Sequence, residues 1–153
     1  PHCFAMTGKL ILLASALLLS PATTACAQPA DPEQGRFAPC GSAKRVTCVV
    51  DGDTFWYAGT KIRMADINTP ETATPSCAYE AALGARAKQR LEQLLNAGPF
   101  TLEVHGRQVD RYGRALRVVT RNGKSLGAKL ADEGLAEHWR GKRGDWCGGS
   151  GSA

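Results

Sequence analysis

Apolar and β-branched residues recur in three short runs near the middle of the chain, at 45–50, 54–57 and 61–67, broken by Asp51-Gly52-Asp53 and by Ala58-Gly59-Thr60. Short runs separated by Asp-Gly and Gly turns predict an antiparallel meander. From 77 to 96 the period lengthens. Leu83, Ala87, Leu91, Leu94 and Leu95 share one helical face, while Arg86, Lys88, Arg90 and Glu92 fall elsewhere. This predicts an amphipathic helix, capped by Ser76 and stopped by Gly98-Pro99. Strand patterning returns at 100–104, where Phe100, Leu102 and Val104 alternate, and at 115–120 before the turn Arg121-Asn122-Gly123. Ser125 then caps a shorter helix over 126–133, closed by Gly134.

Five short strands, one helix between the third and fourth and another after the fifth predict a β-rich α+β domain. Strands of this length suit a five-stranded Greek-key barrel of the OB type. An open sheet with helices on one face satisfies the same pattern.

The ends read differently. Met6 and Lys9 precede an apolar run at 10–19, and small residues including Ala25-Cys26-Ala27 follow. The run is about half of what a bilayer crossing requires, so the expectation is a signal peptide over 1–27, with residues 1–5 ahead of the natural start. A lipoprotein signal acylated at Cys26 is the weaker reading, because Thr23 stands where a bulky aliphatic is expected. Residues 28–42 are rich in Pro and small side chains and predict a mobile leader. The domain is then expected over 43–147, with Trp139 and Trp146 covering its core, Cys147 tying the tail, and a flexible end at 148–153.

Composition narrows the class. With 43% hydrophobic and 22% charged residues the chain is no disordered polymer, collagen or multi-span membrane protein. Lys and Arg number 19 against 14 acids, a net charge of +5, which leans toward anionic partners. Cleavage after Ala27 leaves Cys40, Cys48, Cys77 and Cys147, an even number that predicts two disulfides in an exported domain and leaves their pairing open. His105 and His138 stand apart from any zinc-like spacing.

Three motifs could carry chemistry. Asp51-Gly52-Asp53-Thr54 sets two carboxylates about a tight turn, oxygen donors of the kind hard cations take. Asn68-Thr69-Pro70-Glu71 adds a side-chain carbonyl, a backbone carbonyl and a free carboxylate just beyond the strand that bears Arg63. Asp110-Arg111-Tyr112-Gly113-Arg114 supplies forked donors suited to phosphate and an aromatic ring able to stack on a base. Gly123-Lys124-Ser125 lacks the upstream glycine of a phosphate-binding loop and reads as a turn plus cap.

In their order and spacing Val49-Val50-Asp51-Gly52-Asp53-Thr54-Phe55, Ile62-Arg63, Thr69-Pro70-Glu71 and Asp110-Arg111-Tyr112-Gly113-Arg114 resemble the thermonuclease (staphylococcal nuclease-like) family over about residues 43–138. The resemblance implies an OB-fold barrel with packed helices, and Ca²⁺-dependent hydrolysis of DNA and RNA phosphodiesters. It assigns Arg63 and Arg114 to the phosphate, Glu71 to general-base catalysis, Asp53, Asn68 and the Thr69 carbonyl to the metal, and Arg111 and Tyr112 to the nucleotide. Asn68 stands where the family usually has Asp, which removes one negative charge from the ligand set. Alternation along the strand would let Asp66 offset that loss. The function implied is an exported, monomeric Ca²⁺-dependent nuclease without a membrane span. The alternatives are an OB module that binds nucleic acid but hydrolyses it poorly, and an envelope interaction protein that uses the barrel as a scaffold.

Overall fold

In a computed structural model that describes residues 29–148, Val49, Phe55 and Ile62 stand side by side across three neighbouring strands, all of them fully buried. These strands are β1 (Cys48–Asp51), β2 (Thr54–Tyr57) and β3 (Thr60–Met64), the antiparallel meander that the turn residues predict. The expected signal peptide, Cys26 and residues 149–153 of the tail lie outside the described residues.

Beyond β3 the chain bends at Ala65-Asp66, so the third expected strand is split. Its last part becomes β4 (Ile67–Asn68), which pairs antiparallel with β8 (Glu137–His138) in a separate ribbon. The helix α1 (Ala78–Asn96) buries Leu83, Ala87, Leu91, Leu94 and Leu95 as its period requires. Its cap is Cys77 rather than the expected Ser76: the Cys77 sulfur accepts the Glu80 N–H, while the Ser76 N–H goes to the Glu80 carboxylate. Then follow β5 (Thr101–Glu103), β6 (Ala115–Arg121), β7 (Lys124–Ser125) and α2 (Leu126–Asp132), capped by Ser125 as predicted.

The sheet order is β1-β2-β3-β6-β5, with β7 also on β6. β6 lies parallel to β3, with Ile62 opposite Ala115 and Arg63 opposite Leu116. Among the described residues no strand joins β1 to β5, so strand pairing alone leaves the sheet open.

Residues 29–42 span that gap, which corrects the expectation of a mobile leader. Glu33 and Phe100 exchange both backbone hydrogen bonds at the β5 edge, and Val49 on β1 donates to Ala38 and accepts from Cys40. Between these ties Phe37 is buried against the rings of Phe55, Tyr57 and Phe100, and Asn96 satisfies both its N–H and its carbonyl. The physical reason is that one aromatic anchor and two backbone bridges suffice to fix a segment whose composition carries no period. The disulfides are Cys40–Cys48, which pins this segment to β1, and Cys77–Cys147, which ties the C-terminal stretch to the start of α1.

Candidate nuclease site

Parallel pairing of β3 with β6 decides where the site lies. It brings Arg63, on β3, beside Arg114, which immediately precedes β6, although the two are far apart in sequence. Arg63 is almost wholly buried. It pairs with Asp53 at 3.1 Å, donates to the backbone carbonyls of Met64 and Ile67, and reaches the Asn68 carbonyl oxygen at 3.4 Å. Burial holds its proton affinity below the ordinary arginine range and the Asp53 charge opposes that, while Arg114 and Arg143 are close enough to push it further down.

Arg114 is held in the same manner by a different carboxylate. Asp110 accepts the backbone N–H groups of Tyr112 and Arg114 and, at 2.6 Å, the Arg114 Nε. Burial pulls the Asp110 carboxyl upward, but these donors together outweigh it and hold it below the usual carboxylate range. Tyr112 projects into solvent between Arg111 and Arg114, whose guanidinium carbons lie 4.7 and 5.4 Å from its ring centre. Arg63, Arg111, Tyr112 and Arg114 line one cleft of ≈ 730 Å³.

Behind Arg63 lies the acidic turn. Asp53 accepts the Thr69 N–H at 2.9 Å and the Thr54 hydroxyl, which locks the β1–β2 turn to the Thr69-Pro70-Glu71 loop. Two glycines permit this nesting. A Cβ at Gly52 would come within 2.7 Å of the Ala87 Cβ, and one at Gly84 within 3.0 Å of the Pro70 and Glu71 carbonyls. Asp51 is half-buried with one buried oxygen unpartnered, and its carboxyl is pushed up to about 6 by burial and then by the Asp53 and Glu71 charges.

Asn68 is buried, with its amide donating to Glu137 at 2.8 Å. Asp66 does not face this group. The bend at 65–66 breaks the strand alternation, and Asp66 instead accepts the Ser125 hydroxyl and lies against Gly127 at the start of α2. Among the described residues no three His, Cys, Asp or Glu side chains converge as a metal group.

Glu71 is reached from an unexpected side. Its N–H is held by Glu80 and its carboxylate is ion-paired with Arg143, which lines the same cleft. Trp139 also departs from expectation. Trp146 packs against the core, but Trp139 is 42% exposed, lines the cleft and stands with its ring centre 5.9 Å from the Arg63 guanidinium. The basic run Arg140, Lys142, Arg143 was the only sequence signal for these two contributions.

The chain matches the staphylococcal nuclease homologue family over residues 61–146. It belongs to that family, whose OB fold accounts for the strand order β1-β2-β3-β6-β5 and the packed helices. It is similar to the thermonuclease of Staphylococcus hyicus, at 30% identity over 140 residues that cover 85% of this chain and 78% of that protein. It is also 39% identical over 92 residues to endonuclease YncB of Bacillus subtilis, and 40% identical over 92 residues to the SPbeta prophage-derived endonuclease YokF of the same organism. Each of these matches covers 57% of this chain, but only 43% and 31% of the respective endonucleases. The chain therefore spans less than half the length of the two Bacillus proteins.

Proposed function

We propose that this chain is an exported, monomeric, Ca²⁺-dependent nuclease that hydrolyses the phosphodiester bonds of DNA and of RNA. The observation that carries the reading is the pair of guanidinium groups, Arg63 and Arg114, each fixed by its own carboxylate and both facing one cleft. Planar forks prepositioned in this way match the oxygens of a phosphodiester, and Tyr112 and Trp139 beside them offer faces to bases. The thermonuclease and endonuclease relatives point the same way.

The acidic turn fits a hard divalent cation. Its buried, unpartnered Asp51 oxygen and the raised Asp51 carboxyl mark a place with more negative charge than its surroundings neutralise. Asp53 and the Thr69 carbonyl would hold the ion, with Asn68 contributing a neutral oxygen in place of a carboxylate. When bound, Ca²⁺ supplies charge neutralisation at the phosphate. The chain's own groups do the rest. Glu71 accepts the proton of the attacking water as its oxygen bonds to phosphorus and the bond to the leaving oxygen breaks. Arg63 and Arg114 hold the phosphate and stabilise the charge that accumulates on it. Export is supported by the signal-like start and by the two disulfides.

One observation favours the second reading, a binding module with little hydrolysis: the Asn68 amide is already engaged by Glu137 and its oxygen by Arg63. Single-stranded DNA decides between them. We expect the oxidised protein to cleave it with Ca²⁺ and not with chelator, and Glu71→Gln to lower kcat by about 10²–10⁴-fold. Salt-sensitive binding without cleavage by the parent protein would establish the binding module.

A further inference from the structure

The stretch 139–147 is fastened at more points than a surface tail requires. The Trp139 N–H donates to the Asp66 carbonyl, the Gly144 N–H to the Glu137 carboxylate at 2.6 Å, Trp146 packs on the core, and Cys147 is bonded to Cys77. Cys77 itself closes the loop that begins at Glu71, and Glu80 holds that loop through the N–H groups of Glu71 and Ser76. The disulfide therefore joins the two segments that meet in the Glu71–Arg143 ion pair. Arg143 is 56% exposed at its side chain and stands between two hollows. One is the cleft of Arg63 and Arg114, and the other is lined by Arg140 and Lys142.

A carboxylate oxygen occupied by a guanidinium is not open to a hydrogen bond from the attacking water. A phosphate entering the cleft offers that guanidinium an equivalent pair of oxygens. The geometry points to Arg143 as a substrate-binding arginine that leaves Glu71 for a phosphate flanking the scissile one, freeing the Glu71 oxygen as it goes, with the Cys77–Cys147 disulfide keeping it within reach. The ligand is thus an oligonucleotide with at least one phosphate beyond the bond that is cut. This assignment rests on the nuclease reading, and it adds a contact and an order of events to it.

The test is binding of the oxidised full chain to a labelled single-stranded oligodeoxynucleotide in chelator, followed by fluorescence anisotropy over a series of salt concentrations. The Arg143 side chain is 56% exposed, so its replacement is expected to leave the fold intact. Arg143→Gln is expected to weaken binding about tenfold at low salt. It should also reduce the slope of log K against log salt by about 0.7, the loss of one phosphate contact on a single strand. Arg143→Lys should retain the slope. In turnover with Ca²⁺ the loss of kcat/KM in Arg143→Gln should fall on KM. Cys147→Ser should reproduce the slope change in the parent background and add nothing further in Arg143→Gln.

An unchanged slope in Arg143→Gln, in a parent protein that cleaves, would overturn the contact and leave the nuclease reading intact. A fall in kcat at constant KM would also overturn it, since Arg143 would then only order Glu71. A parent protein that binds without cleaving would remove the nuclease reading, and the lost slope would still uphold the phosphate contact.

Discussion

Asp51 sits where folding works against its own charge. Its carboxyl rises from 3.8 to about 6 because burial penalises the ionised form and Asp53 and Glu71 add like charge. A folded-state value above the unfolded one means that the protonated residue favours the fold. That contribution is complete below pH 3.8 and is lost as pH rises through about 6. In the metal-free protein at pH 7.5, Asp51→Asn should therefore raise the unfolding free energy by up to about 3 kcal/mol, and near pH 4 the gain should have largely disappeared. Urea denaturation in chelator at the two pH values measures this, and an equal gain at both would show that the ionisation is not responsible. Asp110 carries the opposite sign. Its hydrogen bonds hold its carboxyl low, so its share of stability is present at neutral pH and fades as the solution becomes strongly acidic.

At the scale of elements, the hydrophobic periods located what they could locate. The face of α1, the Ser125 cap of α2 and the turn at Asp51-Gly52-Asp53 are all local, and local patterns disclosed them. The site is assembled by features of another kind. Nothing in a linear pattern states that β6 runs parallel to β3, yet that register alone brings Arg114 beside Arg63. Nor does alternation survive the bend at 65–66, which is why Asp66 serves the start of α2 instead of the acidic turn. Trp139 and Arg143 lie in a segment without period, positioned by a disulfide whose pairing the cysteine count leaves open. The close approach of turn, loop and helix gives a sharp prediction. Gly52→Ala would drive a methyl group into Ala87 and Thr69, and should cost about 1–3 kcal/mol. On the proposed function it should also lower DNA cleavage, by displacing Asp51 and Asp53. Thermal unfolding and the DNA assay on the same variant check both effects, and unchanged values would show that the helix can yield.

At the scale of the whole fold, the packed unit reaches further back along the chain than its pattern implies. The family match starts at residue 61 and the resemblance at about 43, but the structural unit includes Glu33 and Phe37. Composition misleads here because a Pro-rich stretch with one buried ring scores as a linker. Phe37→Ala removes that ring from an aromatic cluster with Phe55, Tyr57 and Phe100, and should cost about 3–5 kcal/mol. A chemical denaturation curve close to that of the parent would mean that 29–42 is dispensable.

The order in which partners are made has its own effect. The segment that bridges β1 and the start of β5 precedes Phe100 in the chain and must wait for it, and Cys77 must wait for Cys147. Neither tie can form before its later partner has been made. A polypeptide arranged in this way stays loosely held while those partners are missing, and becomes hard to pull apart once Cys147 has joined Cys77.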